Sequence, residues 1–200
     1  EERFCAYTPP LIYIVTCNCM IHRLTIFTRW DGTAVDAREA LHVSLYQSGD
    51  ALSIQFSACL APAYTVPPEP VGFTHGLWEY DVVEVFFARP DGSYLEIEVG
   101  PGGHWLVYEF SSYRQASDKT PRPLQYATRI TDDVWEGEFL VPQAWLKCAP
   151  QECRVNVYQI RSVEQGREYL AWRSVPSIEP DFHRVECFEG LPPNALLEDD

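Results

Sequence analysis

Three glutamates and two tryptophans hold most of the chemistry this sequence offers. Glu84 sits in the run Leu77-Trp78-Glu79-Tyr80-Asp81-Val82-Val83-Glu84-Val85-Phe86-Phe87, and Glu96 and Glu98 sit in Tyr94-Leu95-Glu96-Ile97-Glu98-Val99. Paired carboxylates perform glycoside hydrolysis, one as acid and the other as base or nucleophile, and Glu84 with Glu96 or Asp81 is the pair to consider. Acidic residues on an exposed sheet face give the same pattern without chemistry, so no catalytic residue is assigned. Trp78 and Trp172 each stand at a strand edge beside polar, turn-rich sequence. An indole face matches the C–H face of a pyranose, while carboxylates, amides and guanidinium groups serve its hydroxyls. Glu79, Asp81, Glu84, Asn156, Tyr158 and Arg173 are the polar residues available beside these indoles. The expectation is a non-catalytic domain that binds a saccharide or similar polyhydroxylated molecule between Trp78 and Trp172. A protein-interaction domain using the same aromatics as an interface patch is the alternative. A glycoside hydrolase is the third reading.

The elements that must position these residues are strands. Short β-rich segments bounded by Gly, Pro, Asp and Ser recur along the chain, and sustained helical periodicity is almost absent. The pattern predicts an all-β, single-domain antiparallel sandwich with about ten strands, near 22–28, 40–46, 51–58, 81–88, 93–100, 104–111, 125–130, 134–141, 154–161 and 167–173. Helix is limited to a turn near 142–147, where Pro142 suits a first helical position. Residues 61–76 carry four prolines and two glycines and cannot form a central strand; they read as a sheet-to-sheet crossover or as a loop shaping a site. Residues 112–123 form a second loop. Strand parity puts Leu95, Ile97 and Val99 on one face and Tyr94, Glu96 and Glu98 on the other. A two-residue Asp91-Gly92 turn would pair Glu84 with Val99 and point it with the apolar set, where Arg161 or Arg173 would have to neutralise it; an even-sum register would set it beside Glu96 and Glu98. The domain is expected to span residues 20–191, with 1–19 an extension outside it and 192–200 an acidic tail. Met20, the sole methionine, directly precedes the first strand-like segment.

Composition narrows the function classes. The 200 residues carry 29 acidic and 15 basic side chains, a formal charge of −14, which repels phosphate backbones and anionic membranes. Nucleic acid and membrane surfaces are therefore not expected partners, and no protein partner is legible. The seven cysteines show neither paired C-x-x-C spacing nor histidines at zinc-ligand distances, and no Asn-x-Ser/Thr acceptor occurs. A reduced, cytoplasmic protein with no metal and no cofactor is the expectation. No Gly-x-Ser-x-Gly elbow, P-loop or dinucleotide fingerprint is present.

The run Val155-Asn156-Val157-Tyr158-Gln159-Ile160, then Tyr169-Leu170-Ala171-Trp172-Arg173, then Asp181-Phe182-His183-Arg184 with Phe188-Glu189-Gly190-Leu191 resembles the closing half of family 9 carbohydrate-binding modules and their DOMON-like relatives. Val157 replaces an aromatic of that pattern and Glu189 a glycine. The resemblance implies a β-sandwich and saccharide binding. Residues 30–191, including Trp30-Asp31-Gly32, Leu77 to Phe87, Tyr94-Leu95-Glu96, Trp135-Glu136-Gly137 and Pro180 to His183, also resemble the family named after chromosome 4 open reading frame 33. That resemblance implies the fold and carries no activity with it. DOMON relatives also bind haem through Met and His; Met20 lies at the start of the domain, which leaves only a bis-His arrangement among His22, His42, His75, His104 and His183. His183 is expected to hydrogen-bond backbone in the closing segment.

Overall fold

In a computed structural model, which describes residues 21–164 and 166–191, the chain forms two antiparallel sheets packed face to face. Its strands are β1 (Ile21–Ile26), β2 (Leu41–Ser48), β3 (Ala51–Cys59), β4 (Val82–Ala88), β5 (Tyr94–Val99), β6 (Trp105–Ser112), β7 (Gln115–Asp118), β8 (Gln125–Thr131), β9 (Val134–Pro142), β10 (Arg154–Val163), β11 (Gly166–Ala171) and β12 (Glu189–Gly190). One sheet runs β1-β2-β3-β9-β8. The other runs β11-β10-β4-β5-β6-β7, with β12 added beside β10. A single α-helical turn, α1 (Gln143–Leu146), follows β9, with Pro142 as its N-cap rather than its first helical residue. The ten expected strands are all present; β7 and β12 were not anticipated. The expected extension, Met20 and the acidic tail lie outside the described residues.

The core lies between the sheets. Val83, Val85 and Phe87 of β4, Leu95, Ile97 and Val99 of β5, Val107, Val155, Val157 and Leu170 meet Leu24, Val43, Leu45, Ile54, Phe56, Trp135, Phe139 and Val141 of the facing sheet. Phe56 and Trp135 meet edge to face at 4.9 Å, where Gly137 pairs opposite Phe56 and leaves room for its ring. The second sheet is unusual in being buried on both faces: every residue of β4 and β5 is buried. Its outer face carries Val82, Phe86, Tyr94, Leu106, Tyr108, Phe110, Tyr158 and Ile160, covered in part by Leu77, Val175, Phe182 and Phe188 from outside the sheet. Phe182 stacks on Tyr158 at 3.9 Å with the rings 9° apart, fixing the closing segment against β10. An alternating pattern that would ordinarily put polar side chains in water here puts them under a lid.

The β4–β5 register settles where Glu84 points. Ala88 pairs with Tyr94 and Glu84 with Glu98, the even-sum arrangement. The turn is five residues, 89–93, closed by Arg89 N–H to Ser93 O at 2.8 Å and Gly92 N–H to Arg89 O at 3.0 Å, in place of a two-residue Asp91-Gly92 turn. Arg89 reaches out of that turn to the carbonyls of Leu146 and Trp145 and holds it against α1. Residues 61–76 cross from one sheet to the other between β3 and β4, and their end delivers Trp78 to the outer face. Cys148 and Cys153 form a disulfide, a pairing the spacing did not suggest.

Candidate functional site

A cavity of about 380 Å³ opens on the outer face of the second sheet. Its floor is Glu84, Glu96 and Glu98, and its walls include Trp78, Tyr108, Phe110, Tyr169, Phe182 and His183, with Arg114, Lys119 and Arg167 around it. The floor follows from strand parity: Glu84 of β4 stands directly across from Glu98 of β5, and Glu96 is two residues further along the same face. One carboxylate oxygen from each of the three lies within 4.8 Å of the others. Like charges directly opposite in an antiparallel pair destabilise it. Burial is the main cause that pushes the Glu84 and Glu98 carboxyls well above the usual range, reinforced for Glu84 by Glu96 and for Glu98 by Glu84 and Glu96. Glu96 is raised to about 8 by burial, against the pull of Arg114 and Lys119. Both carboxylate oxygens of Glu98 are buried without a hydrogen-bond partner.

The walls are held by separate devices. Trp78 sits in the short turn Leu77–Glu79, 40% exposed, with its ring edge-on to Tyr108 at 6.4 Å. Arg167 of β11 donates to the carbonyls of Trp78 and Tyr80 at 2.6 and 2.8 Å, tying that turn to the sheet. Leu77 is fully buried beneath it. On the other side, Arg114 and the Tyr113 hydroxyl both bond Asp181, which anchors the closing segment. His183 lies among Phe86, Tyr94 and Phe110, with Nδ1 2.9 Å from the Tyr94 hydroxyl. Its side chain therefore bonds a phenol and not the backbone as expected. Burial lowers its pKa to about 4, helped by Arg114 and opposed by Asp181, so at neutral pH it is an uncharged neighbour of Glu96, 3.9 Å away.

Of the eight residues expected at a binding site, the structure brings Trp78 and Glu84 to this cavity. Trp172 is on the other side of the sheet: Tyr169 and Ala171 face outward, Leu170 inward, and Trp172, next in the alternation, packs against the intersheet core under the Arg173 guanidinium at 4.1 Å. The two indoles do not face one cleft. Glu79 is exposed beside Trp78 and does not line the cavity. Asp81 is buried and accepts from Thr65 N–H, the Thr65 hydroxyl, Ser162 N–H and the Ser162 hydroxyl at 2.6–2.9 Å, which makes it a knot between the crossover loop and β10. Asn156 bonds the Tyr158 hydroxyl and both the N–H and the carbonyl of Arg173, so it fixes the chain leaving β11. Tyr158 is sealed between Asn156 and Phe182. Arg173 Nε lies 2.7 Å from a Glu189 oxygen, an ionic contact without hydrogen-bond alignment.

Neither proposed cation neutralises Glu84. Arg161 projects from the inner-facing set of β10 and pairs with Glu168 and Glu39, and Arg173 pairs with Glu189. The alternative catalytic pairing of Glu84 with Asp81 also fails, because Asp81 is occupied by four donors. The wall residues Tyr108, Phe110, Arg114, Lys119, Arg167 and Tyr169 were missed. Parity alone put Tyr108 and Phe110 on the same face of β6, and that signal was available.

Comparison with known proteins places the chain. No family profile matches it. A zebrafish (Danio rerio) protein, UPF0462 protein C4orf33 homolog, is 32% identical over 183 residues, covering 86% of this chain and 89% of the relative. The chain belongs to the UPF0462 (C4orf33) family. The human C4orf33 protein is 32% identical over 84% of this chain and 86% of its own length, and the mouse homolog 33% over 84% and 90%. Among solved structures, a chain from Bacteroides uniformis described as a putative carbohydrate-binding protein aligns with a TM-score of 0.64 at 14% identity, over 84% of each chain. At that identity the likeness shows the shared sandwich. Among the described residues of this C4orf33 relative, no helix is long and apolar enough to cross a membrane.

Proposed function

We propose that the protein is a non-catalytic carbohydrate-binding module that takes a saccharide or similar polyhydroxylated molecule into the outer-face cavity. The observation that carries this reading is the half-exposed Trp78 ring standing beside a floor of three carboxyls in a cavity of about 380 Å³. The ring offers an apolar face to a sugar, Glu84 and Glu96 offer hydroxyl partners, and Arg114, Lys119 and Arg167 supply donors around them. The sandwich shared with a putative carbohydrate-binding protein supports it as analogy of fold. This version replaces the Trp172 side of the expected site with Tyr108, Tyr169 and Phe182. Trp78→Ala and Glu84→Gln, screened on a glycan array and then by titration calorimetry, provide the test. Trp78→Ala should weaken binding roughly tenfold or more with an unchanged melting temperature, since one exposed stacking ring contributes about 1–2 kcal/mol. Wild-type protein that binds no glycan, or a Trp78→Ala variant that binds as well, refutes it.

A further inference from the structure

We infer that Glu84, Glu96 and Glu98 form a seat for a calcium-sized divalent cation at the floor of the cavity. Two oxygens bound to one Ca²⁺ at about 2.4 Å each lie at most about 4.8 Å apart, and one oxygen from each of the three glutamates meets that limit with respect to the other two. All three ligands are carboxylates, the hard oxygen donors that calcium selects and that softer metals do not require.

A carboxylate cluster alone would not carry the inference. Glu98 does, because it is fully buried, lines the cavity, and has both oxygens without any hydrogen-bond partner. A buried group in that state incurs its desolvation penalty with nothing in return unless something occupies the site. Its oxygens are nearly closed to solvent, so a sugar ring standing in the cavity does not reach them, whereas a dehydrated calcium ion, which binds oxygen at about 2.4 Å, is smaller than a water molecule. Among the described residues no lysine or arginine ion-pairs with the three glutamates: Arg161 projects from the opposite face, Arg114 bonds Asp181, Arg167 bonds the carbonyls of Trp78 and Tyr80, and Lys119 stands 5.2 Å over the Tyr108 ring. The three glutamates sit on two adjacent paired strands, so the seat is rigid and preformed. Glu84 and Glu96 line the same cavity, whose volume has room for the further oxygen ligands that calcium takes. Occupation of the seat does not depend on the saccharide reading.

The experiment uses the full chain, stripped with EDTA and dialysed. Calcium chloride titrated by calorimetry should show one saturable site and raise the melting temperature, and terbium(III) should luminesce on excitation of the indole and phenol rings, with Trp78 and Tyr108 lining the same cavity. Glu98→Gln should weaken calcium and terbium binding by more than about tenfold. The same variant should melt at or above the wild-type temperature in EDTA, because it removes a buried acid, which separates loss of a ligand from loss of the fold. Absence of saturable binding at millimolar calcium overturns the inference. So does binding that Glu98→Gln leaves intact. Neither readout uses a glycan, so a failed glycan screen and a failed cation titration are distinguishable.

Discussion

Asp81→Ala should destabilise the fold by about 3–5 kcal/mol, and the reason is local. Asp81 is buried and accepts four hydrogen bonds, two from Thr65 and two from Ser162. Thr65 is exposed, so water replaces its pair with little loss. Ser162 N–H and its hydroxyl, at 2.7 and 2.6 Å, are half-buried on β10, and a hydrogen bond to a charged acceptor contributes about 1.5–3 kcal/mol. Two such bonds set the magnitude. Urea unfolding followed by tryptophan emission measures it, with Thr65→Ala as the control expected to lose under about 1 kcal/mol. A double-mutant cycle with Ser162→Ala isolates the hydroxyl bond and should give a coupling of about 1–2 kcal/mol. If Asp81 were instead a ligand contact, Asp81→Ala would leave the urea midpoint where it was and alter only binding. An unchanged midpoint, or zero coupling to Ser162, therefore refutes the knot between the crossover loop and β10.

Two further outcomes follow from the same geometry. His183 is neutral in the fold because its pKa falls from 6.5 to about 4, so the unfolded chain binds more protons in that window. Its contribution is fully present above pH 6.5 and lost as pH falls through about 4, about 3 kcal/mol in all. Glu84, Glu96 and Glu98, whose pKa values are raised, act with the opposite sign, losing stability as pH rises above about 4.5. Comparing pH-stability curves of wild type and His183→Asn cancels that common background; parallel curves between pH 4 and 6.5 would show the histidine plays no such part. Gly137→Ala places a methyl group into the Phe56 ring and should lower stability by about 1–3 kcal/mol in the same urea assay, an effect that Phe56→Leu in the same chain should relieve.

The strands were legible because each carries a period-two pattern long enough to survive boundary errors. Those missed, β7 and β12, have four and two residues, too few for any period to register. The face of Glu84 was narrowed to two registers, and only the length of the 89–93 turn chose between them. Trp172 was misjudged for a different reason: it lies one residue past β11, where the alternation continues and turns the ring inward, yet the surrounding sequence looks like a turn. Asn156, Tyr158 and Asp81 illustrate a more general limit. Their polar groups suit a ligand and the protein's own chain equally well, and some of the partners that claim them are distant in sequence: Ser162 lies 81 positions from Asp81, and Arg173 lies 17 from Asn156. Arg114 and Lys119 lie in the short connections on either side of β7 and Arg167 on the edge strand β11, so none of the three gave a local sign.

In β4, neighbouring positions serve different ends: Val83, Val85 and Phe87 fill the sandwich, while Glu84 furnishes the cavity and Phe86 packs beneath the closing segment. A change at position 84 thus alters the cavity floor while the odd-numbered positions keep the intersheet core. The weak point is spacing. Removing one residue from the tip that joins β4 to β5 would slide acids against valines, and the three-carboxyl floor would be erased without changing a single amino acid in it.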